Sequence, residues 1–268
     1  MIEIITGEAL IHSVRDKISH WHDNIEAIDV IRGRAYCLVA GEKYSLEEGD
    51  ICIVNSRAIH NLMTDDKDLY IKRYEISREF FTRNEKIYRK YIEKLINDER
   101  FSHIILKKED YKTEAIRNIF ESIYDFVTKK PVGYELGIVG MVHFFMQKVF
   151  IYYESSKNKK TVSQDNFLFR KMCDFIYTNY MNKLTLENIA SMGNVSKSKA
   201  INIFNKYAQR SPVDFLNLYR LKVASEKLKD TEQSISEIAL NTGFNQPSYF
   251  NRLFFREYNM TPSEYRKS

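Results

Sequence analysis

Ser234-Ile235-Ser236-Glu237-Ile238-Ala239 leads to Gly243-Phe244, then to Ser248-Tyr249-Phe250-Asn251-Arg252-Leu253-Phe254, and closes with Thr261-Pro262-Ser263-Glu264-Tyr265-Arg266. This stretch reads as two short helices crossing at a steep angle. Ser234 and Glu237 have capping-box spacing, in which hydroxyl and carboxylate each satisfy a backbone N–H of the first turn. Ile238 and Ala239 face inward, and the small Ala lets the next helix cross close by. Gly243 falls where the chain turns through positive φ, which costs glycine little. Phe250, Leu253 and Phe254 recur at i, i+3 and i+4 and form the buried stripe of the second helix.

The same pattern occurs about fifty residues earlier. Leu186-Glu187-Asn188-Ile189-Ala190, Gly193-Asn194-Val195, Ser196 to Phe204, and Ser211-Pro212-Val213-Asp214-Phe215 repeat it in looser form, with Ala190 matching Ala239, Phe204 matching Phe254 and Pro212 matching Pro262. Asn194 takes the turn position, a residue that tolerates positive φ better than most. Units are expected at 184–207 and 234–258. A duplicated module of this kind is a structural repeat. Between the copies, Pro212 starts a helical pattern through Phe215, Leu218, Tyr219, Leu221, Val223, Ala224 and Leu228. At 1.5 Å per residue that helix spans roughly 25–30 Å, near the ~34 Å repeat of successive major grooves. The outward positions of the second helix of each unit are Ser196, Lys197, Ser198, Lys199, Asn202 and Lys206 in the first copy. In the second they are Gln246, Ser248, Tyr249, Asn251, Arg252 and Arg256. Amides and guanidinium groups read base edges; hydroxyl and ammonium groups hold phosphates.

On Ile238-Ala239, Gly243-Phe244, Tyr249-Phe250, Arg252, Phe254 and Thr261-Pro262-Ser263-Glu264-Tyr265-Arg266, residues 163–268 resemble the DNA-binding domain of AraC/XylS-family transcriptional regulators. The resemblance implies double-stranded promoter DNA as partner, two adjacent major-groove segments as the footprint, and, for some members, contact with RNA polymerase. The chain departs from the family pattern at Asn259 and Gln209, where glycine is usual, at Ala200, where a large apolar residue is usual, and at Asn202, where arginine is common.

Composition agrees with this reading. The 268 residues are 44% hydrophobic, enough for two compact domains. Residues from 161 on carry 15 Lys and Arg against 10 Asp and Glu, whereas residues 1–160 carry 26 of each. The excess charge sits on the half expected to meet phosphates. Cys37, Cys52 and Cys173 lack metal-type spacing and read as reduced core thiols. Met1-Ile2-Glu3-Ile4-Ile5 lacks the layout of a signal peptide, and no apolar run approaches the ~20 residues of a membrane span, so the expectation is a cytoplasmic protein without a membrane partner.

The polar segment 155–162 reads as a linker. Before it, residues 1–78 show short β-rich runs at Ala27–Arg32, Ala35–Val39, Ile51–Val54 and Leu69–Ile76, separated by turns at Gly33, Gly41 and Gly49, the pattern of a small barrel or sandwich. Residues 79–154 shift to helical period, with candidate helices at Phe80–Ile96, Tyr111–Val127 and Tyr134–Tyr153. The last has an apolar stripe of Ile138, Met141, Val142, Phe145, Val149 and Tyr152, broadened by Phe144, Met146 and Phe150. A face that wide packs on the barrel or on a second subunit. The fold class is therefore α+β: a small β-barrel, cupin-like by the resemblance that His20, His22, Glu26 and His60 carry, and helices, then an all-α DNA-binding domain with two helix-turn-helix motifs joined by a long helix.

His20-Trp21-His22, Glu26, Gly33 and the later Gly49-Asp50 and His60 resemble the two cupin motifs, with Asn55-Ser56-Arg57 departing from the second. Imidazoles on alternate strand positions point the same way into a barrel, and three such nitrogens with a carboxylate suit a divalent metal. Three readings stand: His20, His22, Glu26 and His60 hold a metal; they hydrogen-bond a small organic effector; or the histidines are structural. Trp21 either stacks on a sugar ring or plugs the barrel mouth. At the level of function, the chain is expected to be a non-enzymatic, dimeric regulator controlled by a sugar or other nutrient, with no cofactor required. The alternatives are a metal-dependent cupin enzyme with a DNA-binding tail and an effector-independent DNA-binding dimer. The nutrient rests on the family resemblance, as does dimerisation through the helices that follow the barrel.

Overall fold

The computed structural model describes residues 2–7, 18–82, 84–98, 100–156 and 164–267. These form two compact units, one holding residues 2–7 and 20–156, the other Ile18, Ser19 and 164–267. Of the expected linker, 155 and 156 end a helix, and 157–162 lie outside the described residues.

In the first unit, β1 (Ile2–Gly7), β7 (Tyr70–Ile76), β2 (Ile25–Arg32), β5 (Ile51–Val54) and β8 (His103–Leu106) make one antiparallel sheet in that order. β4 (Glu42–Glu47), β3 (Arg34–Val39) and β6 (His60–Met63) make a second. Alternation along a strand assigns its two faces. On β2, Ile25 and Ala27 join a core shared with the helices, while Glu26 between them turns the other way, toward His22, His60 and Arg73. On β7 the same division puts Tyr74 and Ile76 in that core and Arg73 and Glu75 opposite.

The helices cover the outer face of the larger sheet. α1 (Glu79–Thr82), α2 (Glu85–Ile87) and α3 (Glu93–Ile96) are short, and a π-helical turn at Tyr88–Ile92 joins the last two. α4 (Tyr111–Lys129) and α5 (Tyr134–Ser156) pack against each other and the sheet. Phe120 of α4 stacks on Tyr74 with ring centroids 4.3 Å apart, and Phe145 of α5 meets Phe120 at 5.1 Å.

The structure corrects three expectations. The segment Phe80–Ile96 is interrupted: Asn84 caps a new start by accepting from the Ile87 N–H at 3.3 Å. His103–Leu106, inside the stretch expected to be helical, pairs with β5 and completes the sheet. Four residues, three of them apolar, do not distinguish a strand from a helix by period. Finally, α5 is long and apolar enough to cross a membrane by length and composition, with mean hydropathy 1.3 in an 18-residue window within Tyr134–Ser155. Its Val142, Phe145, Met146, Val149 and Tyr153 are instead buried in the core of the unit.

The second unit is helical: α6 (Gln164–Asn179), α7 (Leu186–Met192), α8 (Lys197–Ala208), α9 (Pro212–Asp230), α10 (Ile235–Asn241), α11 (Pro247–Tyr258) and α12 (Pro262–Lys267). Both α7 and α10 start with a capping box, Thr185 with Asn188 and Ser234 with Glu237. Ala190 and Ala239 are buried where each pair of helices crosses. Phe169, Phe204, Tyr207 and Phe215 pack the first core, and Leu221, Ile238, Phe244, Phe250 and Phe254 the second. Asn194 and Gly243 carry positive φ, 52° and 87°, as the turn requires. A Cβ on Gly243 would lie 2.6 Å from the Tyr180 carbonyl oxygen and 2.9 Å from Arg220 Nε.

Candidate nucleic-acid interface and effector site

α8 and α11 turn their apolar residues inward and leave the opposite side open. Ser196, Lys197, Ser198, Lys199, Asn202 and Lys206 are all exposed, as are Gln246, Ser248, Tyr249, Asn251, Arg252 and Arg256. Several have intramolecular partners. The Ser196 hydroxyl caps α8 by accepting from the Lys199 N–H at 3.2 Å, Lys197 pairs with Glu187 at 2.5 Å, and Lys199 with Asp165 at 2.7 Å. Exposed pairs of this kind are worth little and exchange readily for phosphate. Gln246 is the N-cap of α11 but makes no side-chain cap bond, and Pro247 follows at the first helical position. Arg252 lies 5.4 Å over the Tyr249 ring, and the Tyr249 hydroxyl accepts from Asn217 Nδ2 at 3.3 Å. A stacked guanidinium keeps its donor fork for bidentate contacts.

Arg220, on α9 between the two helix-turn-helix repeats, was not among the expected site residues. Its Nε and Nη2 each donate to a carbonyl oxygen just past α6, Tyr180 and Asn182, both at 2.8 Å. The guanidinium also lies 5.7 Å over the Phe244 ring, beside the turn of the second unit. One side chain thus ties α9 to the loop that leads into the first helix-turn-helix unit and to the turn of the second. In sequence it sits among buried positions of a helix as an unexplained cation, and that is the signal that marks it.

Within the barrel, the structure brings together His20, His22, Glu26 and His60, their ligand atoms all within 4.8 Å of one another. Glu26 and His60 are fully enclosed, His20, Trp21 and His22 half-buried. His22 Nδ1 is 3.1 Å from the Asn24 carbonyl oxygen, and His60 Nδ1 is 2.9 Å from that of Ala58. A carbonyl only accepts, so each Nδ1 carries the proton and each Nε2 of a neutral ring presents a lone pair. Those Nε2 atoms face Glu26 Oε2, at 3.1 Å from His22 and 3.5 Å from His60. Two lone-pair donors aimed at a carboxylate are stable only with a cation between them, a proton or a metal.

Electrostatics follow the same geometry. Burial pushes the Glu26 carboxyl up, but His60, His22 and Arg73 outweigh it and hold it well below the usual carboxylate range. Burial pulls His22 down, yet Glu26 and Glu75 leave it above the ordinary histidine value. Arg73 Nε is 3.4 Å from Glu26 Oε1, and Asn24 donates to Glu75 at 3.4 Å. Sequence reading missed Arg73, Glu75 and Asn24. The charged residues alternate with Tyr74 and Ile76 along β7, a pattern that reads equally as a solvent face and as a polar barrel interior. Cys37 and Cys52 face each other at 3.6 Å in the same interior, and all three cysteines are free and buried.

A family profile of AraC-like ligand-binding domains matches residues 7–106, and a profile of helix-turn-helix domains matches 189–268. An uncharacterized HTH-type transcriptional regulator, YdeC of Bacillus subtilis, is 25% identical over 92% of this chain and 85% of its own length. The lactose operon transcription activator of Staphylococcus xylosus is 29% identical over 62% of this chain and 58% of its own. Among solved structures, ToxT of Vibrio cholerae superposes over the whole chain and 98% of its own, with a TM-score of 0.51 at 14% identity, a likeness of fold.

Proposed function

The chain belongs to the AraC family of transcriptional regulators, and from that premise we propose that its barrel binds a sugar or other small nutrient that alters how α8 and α11 engage a promoter. The observation that carries this reading is the enclosed cluster of His20, His22, Glu26 and His60, whose polar atoms converge, with Arg73 and Glu75 beside them, in the barrel interior. Such convergence is the mark of a site that orients a hydroxylated or charged ligand. Trp21, at its edge, offers a flat surface to a sugar ring. The relative named for a lactose operon supports the nutrient class.

The same four side chains fit a divalent cation, because their donor set is three imidazoles and a carboxylate and two of the imidazoles are already held in the ligating tautomer. Bound there, a metal would supply a positive centre for effector oxygens. In this reading the barrel senses and does not catalyse, and the DNA-binding unit contacts two adjacent major-groove segments through Ser196, Lys197, Ser198, Lys199, Asn202 and Lys206 and through Gln246, Ser248, Tyr249, Asn251, Arg252 and Arg256.

Homodimerisation follows from α5. At 3.6 residues per turn, its exposed Leu136, Phe144 and Ile151 lie on the side opposite the buried Val142, Phe145 and Val149, so the helix has a second apolar face. A copy of the same chain suits that face. Cytoplasmic residence and contact with RNA polymerase complete the reading.

The test is fluorescence anisotropy of the full chain on its own upstream region and on a scrambled duplex, at two salt concentrations, with and without candidate sugars. Salt-sensitive preference for the native duplex that shifts with one sugar is the expected result. Preference that no sugar or metal alters would leave an effector-independent DNA-binding dimer in its place.

A further inference from the structure

Phe255 of α11 is 55% exposed. Single exposed apolar side chains are ordinary on a protein surface. Its place on the helix is what sets it apart. At 3.6 residues per turn, Phe255 lies about 20° around the axis from Ser248 and between Asn251 and Arg252, while the buried stripe of Phe250, Leu253 and Phe254 is centred on the other side. A phenyl ring therefore stands in the middle of a face that otherwise presents hydroxyl, amide and guanidinium groups.

Ser248, Asn251, Arg252 and Phe255 are spaced i, i+3, i+4 and i+7. A helix lying along the major groove reaches base edges from residues at that spacing. Amides and guanidinium groups suit adenine and guanine through hydrogen bonds, whereas the apolar feature of the groove is the C5-methyl group of thymine, which apolar side chains such as Phe contact. Tyr249, the other exposed aromatic residue of α11, is already engaged: its hydroxyl accepts from Asn217, and Arg252 lies over its ring. The first unit differs at this point. Phe204 matches Phe254 in the repeat, so the counterpart of Phe255 is Asn205, exposed on α8. Two units built on one plan thus offer an amide and a phenyl ring at the same place, which suits two unlike half-sites. The competing role for Phe255 is packing against Met260, itself 41% exposed, since helices ending in a left-handed residue commonly pair apolar groups at these two positions.

We propose that Phe255 is a specificity-determining residue that packs on the C5-methyl group of a thymine in the half-site entered by α11. The inference rests on the reading of α11 as the recognition helix of the second unit and adds to it the one apolar contact of that face.

Selection of the full chain and of its Phe255→Ala variant from a pool of randomised duplexes, followed by anisotropy on the enriched site, tests it. The parent chain is expected to enrich one thymine that Phe255→Ala does not, the other positions of the site being shared. Replacing that thymine by uracil removes only the methyl group, and is expected to weaken the parent chain roughly fourfold, the worth of one buried methyl group, while leaving Phe255→Ala unaffected. A uracil penalty equal in the two chains, or the same enriched site for both, overturns the proposal. So does a Phe255→Ala chain that binds every duplex more weakly by one common factor and melts at a lower temperature, the signature of packing on Met260. Absence of any enriched sequence for the parent chain would overturn the reading of α11 along with the proposal, so the two failures are distinguishable.

Discussion

Gln209 and Asn259 end the two recognition helices in the left-handed conformation, with φ of 52° and 53°. The family pattern places glycine there because a Cβ is crowded in that region. Gln209→Gly is therefore expected to raise stability by about 0.5–1 kcal/mol, read as a higher urea midpoint at unchanged slope. A lower midpoint would mean that the Gln209 side chain contributes more than its strain costs. Arg252 is the outward residue with the most discriminating chemistry. Arg252→Ala is expected to cost roughly 1–3 kcal/mol of specific binding while non-specific affinity changes less. Competition between native and scrambled duplexes at fixed salt measures this, and an unchanged ratio would remove Arg252 from base readout. Both positions were legible because the second copy of the repeat gave each one a counterpart. The Ser234–Glu237 capping pair was legible because its partners are three residues apart, whereas the Thr185–Asn188 pair came from the structure.

Elements depend on contacts that sequence spacing does not reveal. Asp98, past the end of α3, accepts from Arg100 Nε at 2.8 Å and from the Tyr153 hydroxyl of α5 at 2.9 Å. The Arg100 bond outweighs burial and brings the Asp98 carboxyl down to about 2, while burial and then Asp98 itself push the Tyr153 phenol up to about 12. A depressed carboxyl stabilises the fold above its unfolded value near 4 and loses that contribution as pH falls through about 2. Asp98→Asn is thus expected to cost about 1 kcal/mol at pH 7, allowing for solvent screening, and to converge with the parent chain toward pH 2 in urea melts. A gap that persists undiminished in acid would show that the ionised form is not what matters. Arg220 makes the corresponding tie in the second unit. Its replacement by leucine leaves the Tyr180 and Asn182 carbonyl oxygens without their donor, and α9 loses its tie to the loop that leads into the first helix-turn-helix unit. The expected result is looser selection of half-site spacing: an operator with one inserted base pair should lose less affinity with Arg220→Leu than with the parent protein. Equal losses would assign the rigidity to packing of α9 alone.

At the scale of the whole molecule, regulation requires the effector to bind two states of the protein unequally. His22→Ala removes a ring whose Nε2 faces Glu26 at 3.1 Å, and the expected outcome is loss of the sugar-induced shift in DNA affinity. The anisotropy titration reads this directly, and a full shift in the variant would return His22 to a structural role. The sequence alone determined the duplicated helix-turn-helix module, its outward residues and the short β-rich runs of a barrel or sandwich that precede it, while the convergence of His20, His22, Glu26 and His60 was what the cupin resemblance implied. Each of these depends on local periodicity, capping or a short motif, and such features act over a few residues. Tertiary structure alone decided that His103–Leu106 is a strand, that α5 buries one apolar face and leaves another open, that Arg73 and Glu75 face the barrel interior, and that Arg220 reaches both the Tyr180–Asn182 loop and the Phe244 turn. These outcomes depend on which surface a distant segment covers, and burial against a partner tens of residues away has no period in the chain.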